Sequence, residues 1–296
     1  MGGGSWTTQA YASYSTSKGR SVSTSYINGM ATATLANSSY STQEFYKAKR
    51  LDEALNPHKV MRECCDNEEH PNTIPVIFGL DVTGSMGSSL ETTAKKLNEI
   101  MTRIYQELKD VEFMIMGIGD LYCDEAPIQI SQFESDIRIA EQLEKVYFER
   151  GGGGNGWESY TAAWYMGSRH CKLDCWKRGK KGIIITLGDE PLNPYLPRHE
   201  LNRATGDSVE ADIETKDLYK EVTEKFDVYH VVVTDGGSSY NWHKKDIENS
   251  WPKYLDEEHL KYASVDNLAE MVANIIIGKV GNEVSTIGSE IPEISW

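Results

Sequence analysis

The segment IPVIFGLDVTGSMG, residues 74–87, is the strongest indication of a fold in this chain. Residues 74–80 are wholly apolar, as expected of a short strand buried on both faces of a parallel sheet. The run ends at Asp81, and a helical pattern begins a few residues later. Between residues 88 and 108, apolar side chains recur every three or four positions and so line one face of a helix. The segment therefore predicts a strand and a helix joined by a polar loop.

The alternation of strand and helix continues through the rest of the chain. Further strand patterns lie at 111–119, 128–133 (an edge strand), 182–187 and 228–234. Helical patterns lie between and after them, at 137–147, 158–170, 215–225 and 266–277, the last ending near Gly278. Such alternation implies crossover connections and a mainly parallel sheet with helices on both faces. We therefore predict a doubly wound α/β domain over residues 74–281, followed by a tail at 282–296.

The chain begins with two segments of a different character. Residues 1–42 are rich in Ser, Thr, Gly, Tyr and Ala and poor in Val, Ile and Leu. Such a composition buries too little apolar surface to offset the loss of entropy on ordering, which predicts a flexible arm. Aromatic residues recur through it, which favours the alternative of an arm that packs on the domain or on a partner. Residues 41–65 show an amphipathic helical pattern that Pro57 interrupts, and a turn-like stretch follows at 66–72, so we predict a helical linker at 43–73.

The charge and the cysteine content of the chain indicate which partners and which cellular location to expect. The chain has 45 acidic and 30 basic residues, a net charge of −15, so nucleic acid and anionic membrane surfaces are not expected as partners. No apolar run approaches the roughly 18 residues of a membrane helix, and residues 1–15 lack the features of a secretory signal. Five cysteines do not make a disulfide scaffold, which favours a reducing, cytoplasmic location. Cys171 and Cys175, beside His170, lack the spacing of a zinc site.

An acidic residue follows each of the four clearest strands: Asp81, Asp120, Asp189 and Asp235. In an open α/β sheet, the carboxyl ends of parallel strands lie at one edge, and ligands bind there. Four carboxylates gathered at one edge repel each other unless a cation lies among them. The positions of these residues therefore predict a cation site.

The first of these loops is the most specific. Asp81, Thr83 and Ser85 place a carboxylate and two hydroxyls on alternate residues. Mg²⁺ prefers such hard oxygen ligands and retains several waters. The simpler interpretation is a capped helix, with Thr83 or Ser85 as the N-cap residue. Capping explains one hydroxyl but not both together with the acid.

These residues resemble a known site. Asp81, Thr83 and Ser85 match the DxSxS signature of the metal-ion-dependent adhesion site (MIDAS) of von Willebrand factor A (VWA) domains, with Thr in the first hydroxyl position. The stretches GIGDLYCD (117–124), GGGGNGWES (151–159) and ITLGDEP (185–191) are similar to intracellular VWA domains found beside alpha-kinases and in many bacterial proteins. The resemblance covers roughly residues 74–278. It implies a bacterial or phage-like VWA domain in which Asp81, Thr83, Ser85 and Asp189 surround Mg²⁺ (or Mn²⁺/Ca²⁺), directly or through water.

The third loop departs from the family, which uses a Thr there. This chain offers Asn155, Glu158 and Thr161, of which we prefer Glu158 or Asn155 as a ligand. Asp120 and Asp124 are candidates for an outer shell that orients waters. Asp235 is interpreted as a loop acid outside the site or, less simply, as part of it. The basic stretch at 177–181 predicts a solvated turn, with a phosphate-binding patch as the alternative.

The resemblance implies a binding module and no catalysis. The cation would keep an open position that an Asp or Glu of a protein partner fills, and the family's intracellular members imply an AAA+ ATPase or a kinase as partner, by analogy. We expect a cytoplasmic adaptor or assembly subunit. The alternative is a Mg²⁺-dependent phosphatase of haloacid-dehalogenase type, with Asp81 as nucleophile and Asp189 and Glu190 as metal ligands. Against it, those phosphatases require an acid where Thr83 stands.

Overall fold

The computed structural model describes residues 4–27, 30–35, 46–149, 156–237 and 239–288. The strands within these residues, in chain order, are β1 (Val22–Ile27), β2 (Met30–Leu35), β3 (Arg62–Cys64), β4 (Ile74–Asp81), β5 (Val111–Ile118), β6 (Ile128–Ile130), β7 (Cys171–Leu173), β8 (Gly182–Gly188), β9 (Tyr195–Leu196), β10 (Ile213–Glu214), β11 (Phe226–Val233) and β12 (Leu260–Ala263). The α-helices are α1 (Thr8–Ser17), α2 (Gly87–Glu107), α3 (Arg138–Leu143), α4 (Thr161–Arg169), α5 (Arg198–Thr205), α6 (Thr215–Thr223), α7 (Ser239–Ser250) and α8 (Leu268–Gly288).

Six of the strands form the central sheet, in the order β12-β11-β8-β4-β5-β6. Neighbouring strands from β12 to β5 are parallel, and β6 is an antiparallel edge strand. The strand β4 lies inside the sheet, between β8 and β5, which explains its unbroken apolar run. The predicted edge strand at 128–133 is confirmed, although only its first half is strand.

The sheet has an apolar core on each face, because successive side chains of a strand point to opposite faces. Val76 and Phe78 of β4 pack with the core that includes the apolar faces of α2 and α8. Ile77, between them in sequence, packs with the opposite core, which includes Trp164 of α4 and Trp251. Helices therefore cover both faces of a mainly parallel sheet, and the predicted doubly wound fold class is confirmed.

The structure corrects the predicted end of the domain. The last helix, α8, runs from Leu268 through Gly278 to Gly288, so the first residues of the predicted tail continue the helix. An added Cβ at Gly278 or Gly281 would meet no atom within 4 Å, and neither glycine has a φ in the left-handed region. Neither position therefore has the backbone conformation of a glycine that ends a helix. Residues 289–296 lie outside the described residues.

The structure also corrects the prediction of a flexible arm, as far as residues 1–42 are described. Helix α1 and the antiparallel hairpin of β1 and β2 lie against the domain, in contact with α2. Trp6 and Tyr11 are buried in the same core as α2. The indole Nε1 of Trp6 donates a hydrogen bond to Oδ1 of Asn98 at 2.9 Å. Burial of these two aromatic rings offsets the entropy that the segment loses on ordering, although the segment contains few aliphatic residues.

The predicted helical linker at 43–73 is wrong over its described part, residues 46–73. That part contains a 3₁₀ turn at Glu53–Leu55 and the strand β3, which pairs in parallel with β7 outside the main sheet. Leu55 is buried, so this apolar side chain packs against the domain although the segment around it is not a continuous helix. Pro57 and Pro71 lack the amide hydrogen that a continuous helix needs.

We expect Trp6→Ala to destabilise the whole domain. Trp6 is 6% exposed, and truncating a buried Trp typically costs about 3–5 kcal/mol. The measurement is urea unfolding, compared with Tyr26→Ala, because Tyr26 is 74% exposed in the same arm. A Trp6→Ala protein as stable as the Tyr26→Ala protein would mean that the arm does not pack in solution.

None of the helices within the described ranges is both long enough and apolar enough to cross a membrane. The longest, α2 and α8, have 21 residues each. Length alone would suffice for a span, but charged and polar side chains interrupt their apolar faces.

Candidate metal site

Three acidic residues are placed together by three adjacent parallel strands. Asp81 is the last residue of β4, Asp189 follows the last residue of β8, and Asp120 lies two residues after β5. Because β8, β4 and β5 are neighbours, their carboxyl ends meet at one edge. All three side chains are buried, with at most 1% of each exposed. The strand order therefore places these three acids at the same edge of the sheet.

A chain of hydrogen bonds joins the four residues of the predicted core of the site. Oδ1 of Asp81 accepts from the backbone amide of Thr83 at 3.0 Å and from its hydroxyl at 2.6 Å. The hydroxyls of Thr83 and Ser85 lie 3.4 Å apart, and Ser85 donates to Oδ1 of Asp189 at 2.9 Å. Residues 104 apart in sequence thus form one polar cluster of carboxylates and hydroxyls.

The helix-capping interpretation of these hydroxyls does not fit the structure. Thr83 precedes the 3₁₀ turn Gly84–Met86, and its side chain makes no capping bond. Met86 occupies the N-cap position of α2, also without a side-chain cap. Both hydroxyls therefore point to the acids of the cluster, where a cation would need them.

Tyr160 is a residue of the cluster that the sequence did not reveal. Its hydroxyl donates to Oδ2 of Asp81 at 2.6 Å, and its ring is wholly buried. Gly188 makes room for it, since a Cβ there would lie 2.0 Å from the Tyr160 hydroxyl oxygen. The only signal in the sequence was its position directly after the GGGGNGWES stretch. With Thr83 and Tyr160 as partners, both oxygens of Asp81 already accept hydrogen bonds, which disfavours Asp81 as a nucleophile.

In the third loop, the structure places Glu158 close to the cluster. Ser159 ties this loop to the end of β5, because its amide donates to the carbonyl of Gly119 and its hydroxyl accepts from the amide of Leu121 at 3.1 Å. Glu158 is buried, and its Oε2 has no hydrogen-bond partner within the described residues. Burial, with the charge of Asp81 next in importance, raises the pKa of Glu158 to about 11.

The other two candidates of this loop differ from Glu158. Asn155 lies outside the described residues, so its role stays a prediction. The hydroxyl of Thr161 accepts from Nδ2 of Asn193 at 2.6 Å, and its amide donates to Oδ1 of the same side chain. Thr161 therefore helps to fix the start of α4 against the loop that contains Asn193.

The other acidic residues that follow the strands accept hydrogen bonds either within their own loop or from a neighbouring element. Asp120 accepts from the amide of Tyr122, while Asp124 accepts from the amide of Asp120 at 2.7 Å, so this loop folds around its own carboxylates. Asp235 accepts from the amide of Val265 at 2.7 Å, which fits its interpretation as a loop acid. Glu190, which follows Asp189, accepts from the hydroxyl of Ser239 at the start of α7.

The electrostatics of the cluster fit a cation. Burial and the neighbouring charge of Asp189 raise the pKa of Asp81 to about 8. Burial also raises the pKa of Asp189 to about 6. Oδ2 of Asp189, Oε2 of Glu158 and Oδ2 of Asp120 are buried with no hydrogen-bond partner among the described residues. Buried carboxylate oxygens without partners are costly, and a divalent cation would offset that cost.

Carboxylates alone do not make this site. Across the described ranges, no three His, Cys, Asp or Glu side chains come together as a metal-binding group. A cation at this edge would therefore need the hydroxyls of Thr83 and Ser85, which suits a hard ion such as Mg²⁺. The same finding covers Cys171, Cys175 and His170, and both ring nitrogens of His170 are engaged with the Val60 carbonyl and Asp207.

Comparison with known proteins adds structural neighbours only. The sequence matches no protein-family model and no curated protein. Among solved structures, the pilus adhesin SpaC from Lactobacillus rhamnosus GG is 12% identical over 75% of this chain and 31% of the adhesin, with a TM-score of 0.48. The chain thus spans about a third of that protein.

Two further structural neighbours have lower TM-scores than the adhesin. The vWF domain of the type V pili tip protein Mfa5 from Porphyromonas gingivalis is 12% identical, over 75% of this chain and 98% of the domain, with a TM-score of 0.42. Proximal thread matrix protein 1 from the mussel byssus, in a structure with a zinc-occupied MIDAS motif, is 12% identical over 73% of this chain and 46% of that one, with a TM-score of 0.41. The strand order and two-sided helix layers described above are those of a doubly wound, Rossmann-like α/β fold.

Proposed function

We propose that this chain is a divalent-cation-dependent protein-binding module of MIDAS type. The observation that carries the proposal is the cluster of three buried residues, Asp81, Thr83 and Asp189, with the partly buried Ser85, joined by hydrogen bonds at the carboxyl edge of the sheet. Mg²⁺ is the cation that the donor set favours, because every donor is a hard oxygen. We also propose Glu158 as the acid of the third loop, since it is buried close to the cluster and its Oε2 accepts no hydrogen bond from the described residues.

Each residue of the cluster would have a separate task. Asp81 and Asp189 would supply negative charge, and Thr83 and Ser85 would supply neutral oxygens. Tyr160 holds the orientation of Asp81 by its hydrogen bond to Oδ2. When bound, the cation would supply a coordination position for an additional anionic ligand, because the neutral hydroxyls of Thr83 and Ser85 leave more of its charge uncompensated than carboxylates in their place would. We infer that this ligand is an Asp or Glu of a protein partner, which a chain with a net charge of −15 would otherwise repel.

The class of partner and the location of the protein follow from the resemblance alone. It favours a cytoplasmic adaptor whose partner is an AAA+ ATPase or a kinase. Recovery of partners from lysate on the immobilised protein, with and without chelator, is the experiment that addresses the class of partner.

We expect Asp81→Ala to abolish binding of Mg²⁺ and Mn²⁺ while the fold persists. The substitution removes one carboxylate of the cluster and leaves the sheet intact. Titration calorimetry on the full chain measures the binding, and circular dichroism monitors the fold. The matched control is Asp235→Ala, because Asp235 follows a neighbouring strand but bonds to Val265. Equal Mg²⁺ affinity of the two variants would refute the assignment.

A second substitution examines how the cation would be used. Thr83→Asp adds a negative charge to the cluster, so we expect it to keep or tighten Mg²⁺ binding and to weaken retention of partners. The physical reason is that a neutral hydroxyl leaves more positive charge for an incoming carboxylate than an Asp does. Calorimetry measures the first effect, and chelator-reversible retention on the immobilised protein measures the second. If Thr83→Asp left retention unchanged at full Mg²⁺ occupancy, a merely structural metal would be indicated.

A further inference from the structure

One tryptophan of helix α7 is exposed to an unusual degree. Trp242 is 81% exposed, the most of any large apolar side chain that the structure describes, whereas Trp164 and Trp251 are wholly buried. An exposed ring forgoes the free energy that its burial would supply, and Trp is enriched at the centres of protein interfaces. The exposure of Trp242 therefore points to a contact that another molecule completes.

The start of α7 is fixed against the loops that carry the proposed metal site. The loop before α7 packs on the first of them, because a Cβ at Gly237 would lie 2.6 Å from the carbonyl oxygen of Ser85. The hydroxyl of Ser239, the first residue of α7, donates to Oε1 of Glu190 at 3.1 Å. Residues three apart share a face of a helix, so Trp242 follows Ser239 along the side of α7 that borders the cluster.

The residue after Trp242 supports the same placement. His243 faces the third loop, because a Cβ at Gly156 would lie 3.6 Å from its ring carbon Cε1. Ser239 and His243 are four residues apart and so lie on one face of α7. Both residues contact loops of the site, and Trp242, between them in sequence, stands at the rim of the cluster with its ring in solvent.

The start of α7 also differs in charge from the rest of the protein. Residues 239–245, which we call the α7 rim, contain one histidine and two lysines but no acid, in a chain with a net charge of −15. Lys244 lies 3.9 Å from Glu248, one turn further along. Lys245 is exposed and lies three residues from Trp242, on the same face. An aromatic and basic rim matches a ligand that is both apolar and acidic.

We propose that the partner segment whose carboxylate reaches the cation also packs a large apolar side chain on Trp242. The inference rests on the proposed metal-dependent function and specifies the partner as an acidic segment with a large apolar residue near the acid. Further acids of that segment contact Lys245.

The spacing of the strands sets the distance between the two partner residues. Strands β8 and β11 lead to Asp189 and to the α7 rim, and they are neighbours, about 4.8 Å apart. In an extended peptide, side chains two residues apart lie on one side, about 6.6 Å from each other. The geometry therefore favours an Asp or Glu with the apolar residue two positions away.

The probe is a library of heptapeptides with a central glutamate and all other positions varied. The immobilised full chain receives the library in saturating Mg²⁺, and retained peptides are identified by mass spectrometry. We expect enrichment of Leu, Met, Phe and Trp two positions from the glutamate. Trp242→Ala should lower retention of these peptides about 30-fold and remove the apolar preference, as expected for a side chain that dominates an interface.

The matched control is Tyr26→Ala, which removes an aromatic side chain that is 74% exposed and belongs to the amino-terminal arm. It should retain the same peptides as the unmodified chain. Because Trp242 is exposed, its removal should leave Mg²⁺ affinity and the free energy of unfolding unchanged, which calorimetry and urea unfolding measure.

The outcomes separate this inference from the function on which it rests. If calorimetry showed no Mg²⁺ binding to the unmodified chain, the proposed function itself would fail. If Mg²⁺ bound but the chain retained no peptides, or retained them without an apolar preference, the inference about the partner would be overturned. An apolar preference that survives in Trp242→Ala would equally overturn the role of Trp242.

Discussion

Saturating Mg²⁺ is expected to raise the unfolding temperature of this protein far more at pH 8 than at pH 5. The reason lies in Asp81 and Asp189, whose pKa values in the folded chain are raised to about 8 and about 6, first by burial and then by the charge of Asp189 on Asp81 and of Glu190 on Asp189. In the unfolded chain both acids lose their protons near pH 4. Between that pH and the raised values, the folded state binds more protons than the unfolded state.

The sign of the effect follows from this difference in bound protons. Without a cation, the free energy of unfolding falls as pH rises from about 4, through the pKa of Asp189 and then that of Asp81. For Asp189 alone, the loss is on the order of 3 kcal/mol. A cation needs the ionised acids, so at pH 5 it competes with protons, and at pH 8 it replaces charge repulsion by attraction. At pH 8, Mg²⁺ should therefore restore most of the free energy of unfolding that the metal-free protein loses as pH rises from about 4.

The measurement is thermal unfolding with Mg²⁺ or with chelator at each pH. A difference of 3 kcal/mol corresponds to about 6–12 °C for a domain of this size. Comparing the two conditions at the same pH removes the contribution of all other titrating groups. In Asp81→Ala, Mg²⁺ should have little effect at either pH. An equal Mg²⁺ effect at pH 5 and pH 8 in the unmodified protein would contradict the role of the two acids.

Gly188→Ala is expected to damage both the fold and the proposed metal site. An added Cβ at Gly188 would lie 2.0 Å from the Tyr160 hydroxyl oxygen and 2.4 Å from the ring carbon that bears it. Tyr160 is fully buried, with its ring 5.5 Å from that of Trp251, so it has no free space to enter. Overpacking of this kind typically costs about 1–3 kcal/mol. Displacement of Tyr160 also breaks its hydrogen bond to Asp81, so Mg²⁺ affinity should fall at least tenfold.

The matched control for Gly188→Ala is Gly278→Ala. Gly278 lies within α8, and a Cβ there would meet no atom within 4 Å. Alanine in a helix interior is more favourable than glycine by about 0.5–1 kcal/mol, so this variant should be slightly stabilised with unchanged Mg²⁺ affinity. Urea unfolding and calorimetry measure the two quantities for both variants. Equal stability of the two variants would mean that Tyr160 does not occupy the position described.

The sequence by itself determined the central part of the fold. The apolar runs that became β4, β5, β8 and β11 are buried on both faces of the sheet, so their pattern needs no information from distant residues. The periodic pattern of α2 was equally local. Because parallel strands share one carboxyl edge, the positions of Asp81, Asp120 and Asp189 at strand ends also followed from sequence alone.

Only the tertiary structure decided which distant residues meet. Tyr160 reaches Asp81 across 79 residues, and Trp6 reaches Asn98 across 92. Neither contact leaves a periodic pattern, because each depends on how whole elements pack. For the described part of residues 1–42, the composition was misleading for the same reason: this segment is poor in aliphatic residues, yet two of its aromatic rings are buried in the core that includes α2. Local patterns report burial along one element, whereas sites and packed arms arise from elements that are far apart in the chain.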